Sequence, residues 1–64
     1  MIINGEAVVL EQEMTMQQYL EQESYPKNRI AVELNGNILP KSQYETYVMQ
    51  QDDKIEIVCF VGGG

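Results

Sequence analysis

The chain has no histidine and no tryptophan, a single cysteine, and only four basic residues against ten acidic ones. Each shortage excludes something. Without histidine the chain lacks the side chain most often used for proton transfer near neutral pH. One cysteine, Cys59, allows no intrachain disulfide, and a secreted domain of this size ordinarily needs such staples. A reducing cytoplasm is therefore the expected compartment. The scarcity of basic residues leaves a net charge of -6. That disfavours nucleic acid, whose phosphates need a basic footprint, and anionic membrane surfaces. It favours a protein partner with a basic docking face, found faster by electrostatic steering. The plainer alternative is an acidic surface that only keeps a small protein soluble. Long apolar runs are also missing. The longest, Ile57 to Val61, is far too short to span a membrane, and Met1 to Gly5 has no basic leader region.

What is present suits one small globular domain. With 44% hydrophobic residues, 64 residues can form one core. A domain this small buries only about 60% of the surface its unfolded chain exposes, which leaves little room for a walled active site. The expectation is a monomeric passenger acted on by other proteins, not an enzyme, with no cofactor or metal of its own.

Asn4-Gly5 between Ile2-Ile3 and Ala7-Val8-Val9-Leu10 predicts an opening hairpin over residues 1–10. Thr15 reads as a helix N-cap, with Gln18 completing a capping box and Met14 and Tyr19 placed as a hydrophobic staple. Met16, Tyr19 and Leu20 share one face of a helix running from about Thr15 to about Ser24, which Pro26 prevents from continuing. Ile30 to Leu34 alternates as a strand, with Ile30, Val32 and Leu34 inward. Asn35-Gly36 turns it into a short segment, Asn37 to Leu39, closed by Pro40. Residues 41–51 read as an irregular turn anchored by Tyr44 and Val48. Asp52-Asp53 reads as a turn through its tolerance of left-handed backbone, and Lys54 to Val61 as the last strand, with Ile55 and Ile57 on one face and Glu56 and Val58 on the other. The predicted fold is α+β, with one sheet packed on one helix.

The chain then ends in Gly62-Gly63-Gly64. Residues 1–61 are the expected domain and 62–64 a flexible tail. Glycine has the widest backbone range and the thinnest profile, so such a tail can enter a narrow cleft on another protein and present the Gly64 carboxylate there. A carboxylate is a poor acyl donor. Reaction with ATP would make an acyl-adenylate, from which a sulfur nucleophile could displace AMP and leave a thiocarboxylate. The catalysis would belong to partners, since the chain carries no nucleotide-binding motif. A frayed end or cloning remnant is the alternative reading of the glycines.

Three segments carry a family resemblance: Ile2-Ile3-Asn4-Gly5-Glu6, Ala31-Val32-Glu33-Leu34-Asn35-Gly36-Asn37-Ile38-Leu39-Pro40-Lys41, and Ile55-Glu56-Ile57-Val58-Cys59-Phe60-Val61-Gly62-Gly63-Gly64. Together they resemble the thiazole-biosynthesis sulfur carriers of the ThiS family across essentially the whole chain. The resemblance implies a ubiquitin-like β-grasp fold with a mixed sheet. It implies adenylation of Gly64 by an activating enzyme that uses ATP, and conversion to a thiocarboxylate with sulfur from a donor protein. It also implies delivery of that sulfur to thiazole synthase in thiamine biosynthesis. Where many relatives carry Asp-Gly-Asp before the last strand, this chain has Gln51-Asp52-Asp53.

Other residues admit two readings each. Val58 and Phe60, facing away from Ile55 and Ile57, with Val61 beside the tail, are candidates for partner docking; the alternative folds Phe60 back on its own domain. Cys59 shares the face of Ile57 and is expected to be a small buried hydrophobe rather than a sulfur relay. Glu11, Glu13, Glu21 and Glu23 read as a solvated face rather than a metal site, and Tyr19, Tyr25, Tyr44 and Tyr47 as packing and surface residues. Competing functions remain open: a ubiquitin-like protein modifier, the small subunit of molybdopterin synthase, or a binding module with an inert tail.

Overall fold

A computed structural model describes residues 1–26 and 28–60. Val61 and the tail at 62–64 lie outside them. In chain order the elements are β1 (Ile2–Ile3), β2 (Glu6–Ala7), α1 (Met16–Gln22), β3 (Ile30–Leu34), β4 (Asn37–Leu39), a 3-10 turn (Lys41–Gln43) and β5 (Lys54–Cys59). The strands form one sheet in the order β2-β1-β5-β3-β4. β5 runs parallel to β1 and antiparallel to β3, so the sheet is mixed and β5 is its central strand.

Both Asn-Gly pairs make the turns expected of them. Asn4 and Gly5 have φ of 52° and 82°, Asn35 and Gly36 of 51° and 88°. Positive φ at both central positions is the turn geometry whose twist matches paired strands. The opening hairpin is shorter than 1–10. Pairing stops at Ile2 opposite Ala7, and Val8 to Leu10 leave the sheet.

The helix begins as its sequence dictates. The Thr15 hydroxyl accepts from the Gln18 N–H at 3.2 Å, and the Gln18 side chain accepts from the Thr15 N–H at 2.9 Å. Met16, Tyr19 and Leu20 are buried on its inner face. The helix closes at Gln22, two residues before Ser24. Ser24 adopts a left-handed φ of 60°, which turns the chain out of the helix ahead of Pro26.

The core joins that face to Ile3, Ile30, Val32, Leu39, Tyr44, Met49, Ile55 and Ile57. In residues 41–51 Tyr44 is an anchor, as expected, but Val48 is not. Val48 is exposed, bridging Thr15 only through backbone, and the buried anchor is Met49. The Met16 N–H bonds the Tyr47 carbonyl and the Met49 N–H bonds the Met14 carbonyl, both near 3 Å, so this segment is laced to the helix start. That register turns residue 49 inward and residue 48 outward.

The turn before β5 also departs from expectation. Neither Asp52 nor Asp53 has positive φ. Asp53 is instead buried, at 5% exposure. Its carboxylate accepts hydrogen bonds from the Tyr47 hydroxyl (2.5 Å), the Gln50 N–H (2.8 Å) and the Asn35 side-chain amide (3.0 Å). The Asn35 carbonyl oxygen then accepts from the Lys54 N–H at 2.8 Å. One carboxylate thus ties the β3–β4 turn, the 44–50 segment and the start of β5 together.

Burial alone would raise the Asp53 pKa, but the hydrogen bonds from Tyr47, Gln50 and Asn35 outweigh it and hold it below the usual carboxylate value. Burial, then the bond to Asp53, pushes the Tyr47 phenol up to about 12. A lowered carboxylate stabilises the fold fully above its unfolded pKa, and that stability is lost as pH falls through the folded one. A raised phenol contributes fully below pH 10, and its share is lost as pH rises through about 12. Replacing Asp53 by alanine leaves three partly buried donors without their acceptor and is expected to cost about 1–3 kcal/mol at pH 7. In urea unfolding from pH 6 to pH 2, the gap between wild type and Asp53→Ala should close on the acid side. A constant gap would contradict this account.

Candidate functional site

The candidate site is the far end of β5 and the sheet face around it. β5 is gripped along its length on one side, with Ile30 to Leu34 of β3 opposite Cys59 to Ile55 in register. A further bond, from the Phe60 N–H to the Arg29 carbonyl at 2.6 Å, extends this grip past the strand. The other side is held only at its start, where β1 pairs Ile2 with Lys54 and Ile3 with Ile55. Asn4 finishes that edge. Its N–H bonds the Ile55 carbonyl at 2.9 Å, and its side-chain carbonyl accepts from the Ile57 N–H at 2.7 Å.

Strand alternation then sorts the side chains. Ile55 and Ile57 enter the core, while Glu56, Val58 and Phe60 face away from it. Val58 is 50% exposed and Phe60 55%, so Phe60 does not fold back into its own domain. The register shows what surrounds them. Val58 lies opposite Ala31, Glu56 opposite Glu33, and Glu33 in turn opposite Ile38. Ile2, outward on β1, lies beside Lys54. Among the described residues, Ile2, Ile38, Val58 and Phe60 are four of the six exposed large hydrophobic residues.

Val58 and Phe60 are therefore exposed on the outward face, while Val61, Gly62, Gly63 and Gly64 lie outside the described residues. Cys59 requires a correction: it is exposed rather than buried. By alternation it points to the core side, and its neighbour Ile30 is buried. But β1 has already ended by this point, so nothing flanks Cys59 on that edge. Ile2, Ala31 and Ile38 were missed as members of the face. The outward position of residue 31 was legible from alternation, but its place beside Val58 depends on strand order.

The remaining features lie elsewhere. Glu11, Glu13, Glu21 and Glu23 are all exposed, as a solvated group should be. Among the described residues no set of acidic, cysteine or histidine side chains converges as a metal site would, and no helix is long and apolar enough to cross a membrane. A surface depression between residues 8–13 and 49–52 sits beyond the start of β5, at the opposite end from Phe60.

A mixed sheet of this order, with one helix packed on one face and the last strand in the centre, is a ubiquitin-like β-grasp domain. The ThiS family model matches residues 1–64, and the chain belongs to that family. The crystal structure of the thiamine biosynthesis protein ThiS from Geobacter metallireducens superposes with a TM-score of 0.81 at 23% identity, covering 98% of this chain and 96% of that one. A thiazole synthase of Paramagnetospirillum magneticum is 39% identical over 64 residues, all of this chain but only 20% of that protein. The ycf40 protein of Porphyra purpurea is 34% identical over 62 residues, 97% of this chain and 87% of its own length.

If the outward face is free, truncating it should leave the fold intact. Val58→Ala and Phe60→Ala are expected to change unfolding free energy by no more than about 0.5 kcal/mol. Ile57→Ala, one residue away but buried, should cost about 2–4 kcal/mol. Urea denaturation of the three variants checks this. A large loss from Phe60→Ala would mean that the ring packs on its own domain.

Proposed function

We propose that this protein is a sulfur carrier for thiazole formation in thiamine biosynthesis, and that its reactive group is the carboxylate of Gly64. The observation that carries this reading is the ThiS family match over residues 1–64, which includes the three glycines 62–64, two residues beyond the end of the central strand. The similarity to thiazole synthases supports the choice of thiazole synthase as the sulfur acceptor's enzyme.

The chemistry begins with a carboxylate that cannot accept a nucleophile, because oxide is too poor a leaving group. A partner enzyme joins the Gly64 carboxylate to the α-phosphate of ATP and releases pyrophosphate. The acyl-adenylate now has AMP as a leaving group. A sulfur nucleophile supplied through a donor protein adds to the carbonyl carbon, AMP departs, and Gly64 ends in a thiocarboxylate. That soft nucleophile transfers sulfur to an electrophilic carbon bound to thiazole synthase. The carrier contributes no catalytic group and is not itself an enzyme. It contributes a docking surface in Val58, Phe60 and Val61, and then Gly62 and Gly63, whose lack of side chains suits passage into a narrow cleft on a partner. A reducing cytoplasm suits a chain whose one thiol, Cys59, is exposed.

Intact mass spectrometry tests the proposal. After incubation with ATP, a cognate adenylating enzyme and a sulfur donor, the mass should rise by the difference between sulfur and oxygen. Deleting Gly64 should abolish the gain, and thiazole synthase with its substrates should reverse it. An unchanged mass with an enzyme shown to form adenylates would overturn the reading. Protein conjugates through Gly64 would point to a modifier instead.

A further inference from the structure

Both Asn-Gly turns do more than reverse the chain. Asn35 follows β3, and its side-chain oxygen accepts from the Lys54 N–H at 2.8 Å. Asn4 follows β1, and its side-chain oxygen accepts from the Ile57 N–H at 2.7 Å. β1 and β3 are the two neighbours of β5, so each flanking strand ends in an asparagine whose amide holds the central strand. Lys54 opens β5, whereas Ile57 stands two residues before its end. The Asn4 contact replaces a missing rung. Hydrogen bonds along a parallel pair are evenly spaced, so a strand continuing past Ile3 would next offer the Asn4 main-chain carbonyl to the Ile57 N–H. Asn4 instead turns away with φ of 52°, and its side-chain carbonyl takes that place. Asparagine suits both tasks, since it tolerates left-handed backbone and carries an acceptor. The amide is held from its other end as well. Its Nδ2 donates to the Tyr25 hydroxyl at 3.4 Å, and the Tyr25 N–H bonds the Leu20 carbonyl of the helix at 2.9 Å. Among the described residues no bond from the β1 side reaches β5 beyond Ile57.

We infer that Asn4 is a positioning residue for the transfer chemistry: its side-chain amide orders the end of β5 in the free protein, before an adenylating enzyme takes hold of Gly64. The inference rests on the carrier reading above. Asn4 supplies no group to the reaction and acts only through the Ile57 amide. On the β3 side, the bond from the Phe60 N–H to the Arg29 carbonyl holds the same stretch, so residues 57–60 are gripped from both flanks only while the Asn4 contact stands. A segment already ordered when free loses less conformational entropy on binding, and the difference appears as affinity. Asn35 has the same chemistry at the opposite end of β5, where it sets the start of the strand. It therefore serves as the internal comparison, a contact that stabilises the fold without ordering the end that leads to Gly64.

The test uses three variants of the full chain. Asn4→Gly keeps the left-handed turn and removes the side-chain oxygen. Asn4→Asp keeps both the turn and an acceptor for the Ile57 N–H. Asn35→Gly removes the matching contact at the start of β5. Amide exchange followed by NMR reads the ordering without any enzyme. In Asn4→Gly, exchange at Val58 and Phe60, which do not bond Asn4, should be about tenfold faster relative to Val32 of the same chain, and in Asn4→Asp it should return to the wild-type ratio. With the cognate adenylating enzyme, Asn4→Gly should show a KM for the carrier raised about fivefold with kcat unchanged. Asn4→Asp should restore the KM, and Asn35→Gly should keep it near wild type although its urea midpoint falls. Unchanged exchange at Val58 and Phe60 overturns the inference, as does an unchanged KM in Asn4→Gly. Equal KM rises in Asn4→Gly and Asn35→Gly overturn it too, because the effect would then follow stability and not position. A KM that stays raised in Asn4→Asp would mean that the enzyme contacts the Asn4 amide itself, and an Asn4→Gly chain that does not fold would make the contact structural; either result overturns it. A wild-type chain that forms no adenylate overturns the carrier reading instead, and the exchange ratios still decide whether Asn4 orders the strand end.

Discussion

Everything downstream in this fold depends on where β5 starts, and the Asp53 carboxylate sets that. A central strand is buried on one face and paired on both sides, so a slip of one residue would turn Ile55 and Ile57 outward and Glu56 and Val58 inward. Asp53 prevents the slip by accepting from Tyr47, Gln50 and Asn35 at once. Asn35 completes the lock, since its side-chain oxygen accepts from the Lys54 N–H and its own N–H donates to the Lys54 carbonyl. In a chain with a single small core, such a polar lock fixes register where hydrophobic packing alone would tolerate alternatives.

Once the register is fixed, one strand does two jobs. Its inward residues, Ile55 and Ile57, meet the residues of β1, β3 and the helix in the core. Its outward residues, Glu56, Val58 and Phe60, lie beside Glu33, Ala31 and the end of β3. The outward residues and the core residues therefore share one backbone and one register. A partner that recognises Val58 and Phe60 reads a surface whose position relative to the chain's last residues is set within a few residues of sequence.

Much of this was legible in the sequence, and the reason is local. The Asn-Gly turns, the Thr15–Gln18 capping box and the alternation of Ile30–Leu34 and Ile55–Val58 depend on neighbours within four residues, and all appear as read. What escaped reading depends on distant contacts. Asp53 has the composition of a turn residue, and only the approach of Tyr47 and Asn35 makes it a buried acceptor. Met49 displaced Val48 as the anchor because backbone bonds to Met14 and Met16 set the phase of that segment. The outward face was half legible: alternation exposes Glu33 and Glu56 separately, but their meeting requires β3 and β5 to be neighbours, which chain order does not state.

Cys59 carries the last step. Its face was read correctly and its burial was not, and the difference locates the edge of the domain. Alternation buries a side chain only while something covers it. β1 covers the start of β5 and is finished by Ile3, and the Asn4 side chain reaches only as far as Ile57. Beyond Ile57 the strand is held by β3 alone, with Ile30 opposite Cys59 and the Arg29–Phe60 bond after it. The exposed thiol therefore marks the point at which β5 passes out of the core. This follows from making the first strand two residues long and the last strand six, so that the last residues of β5 lie beyond the cover of β1.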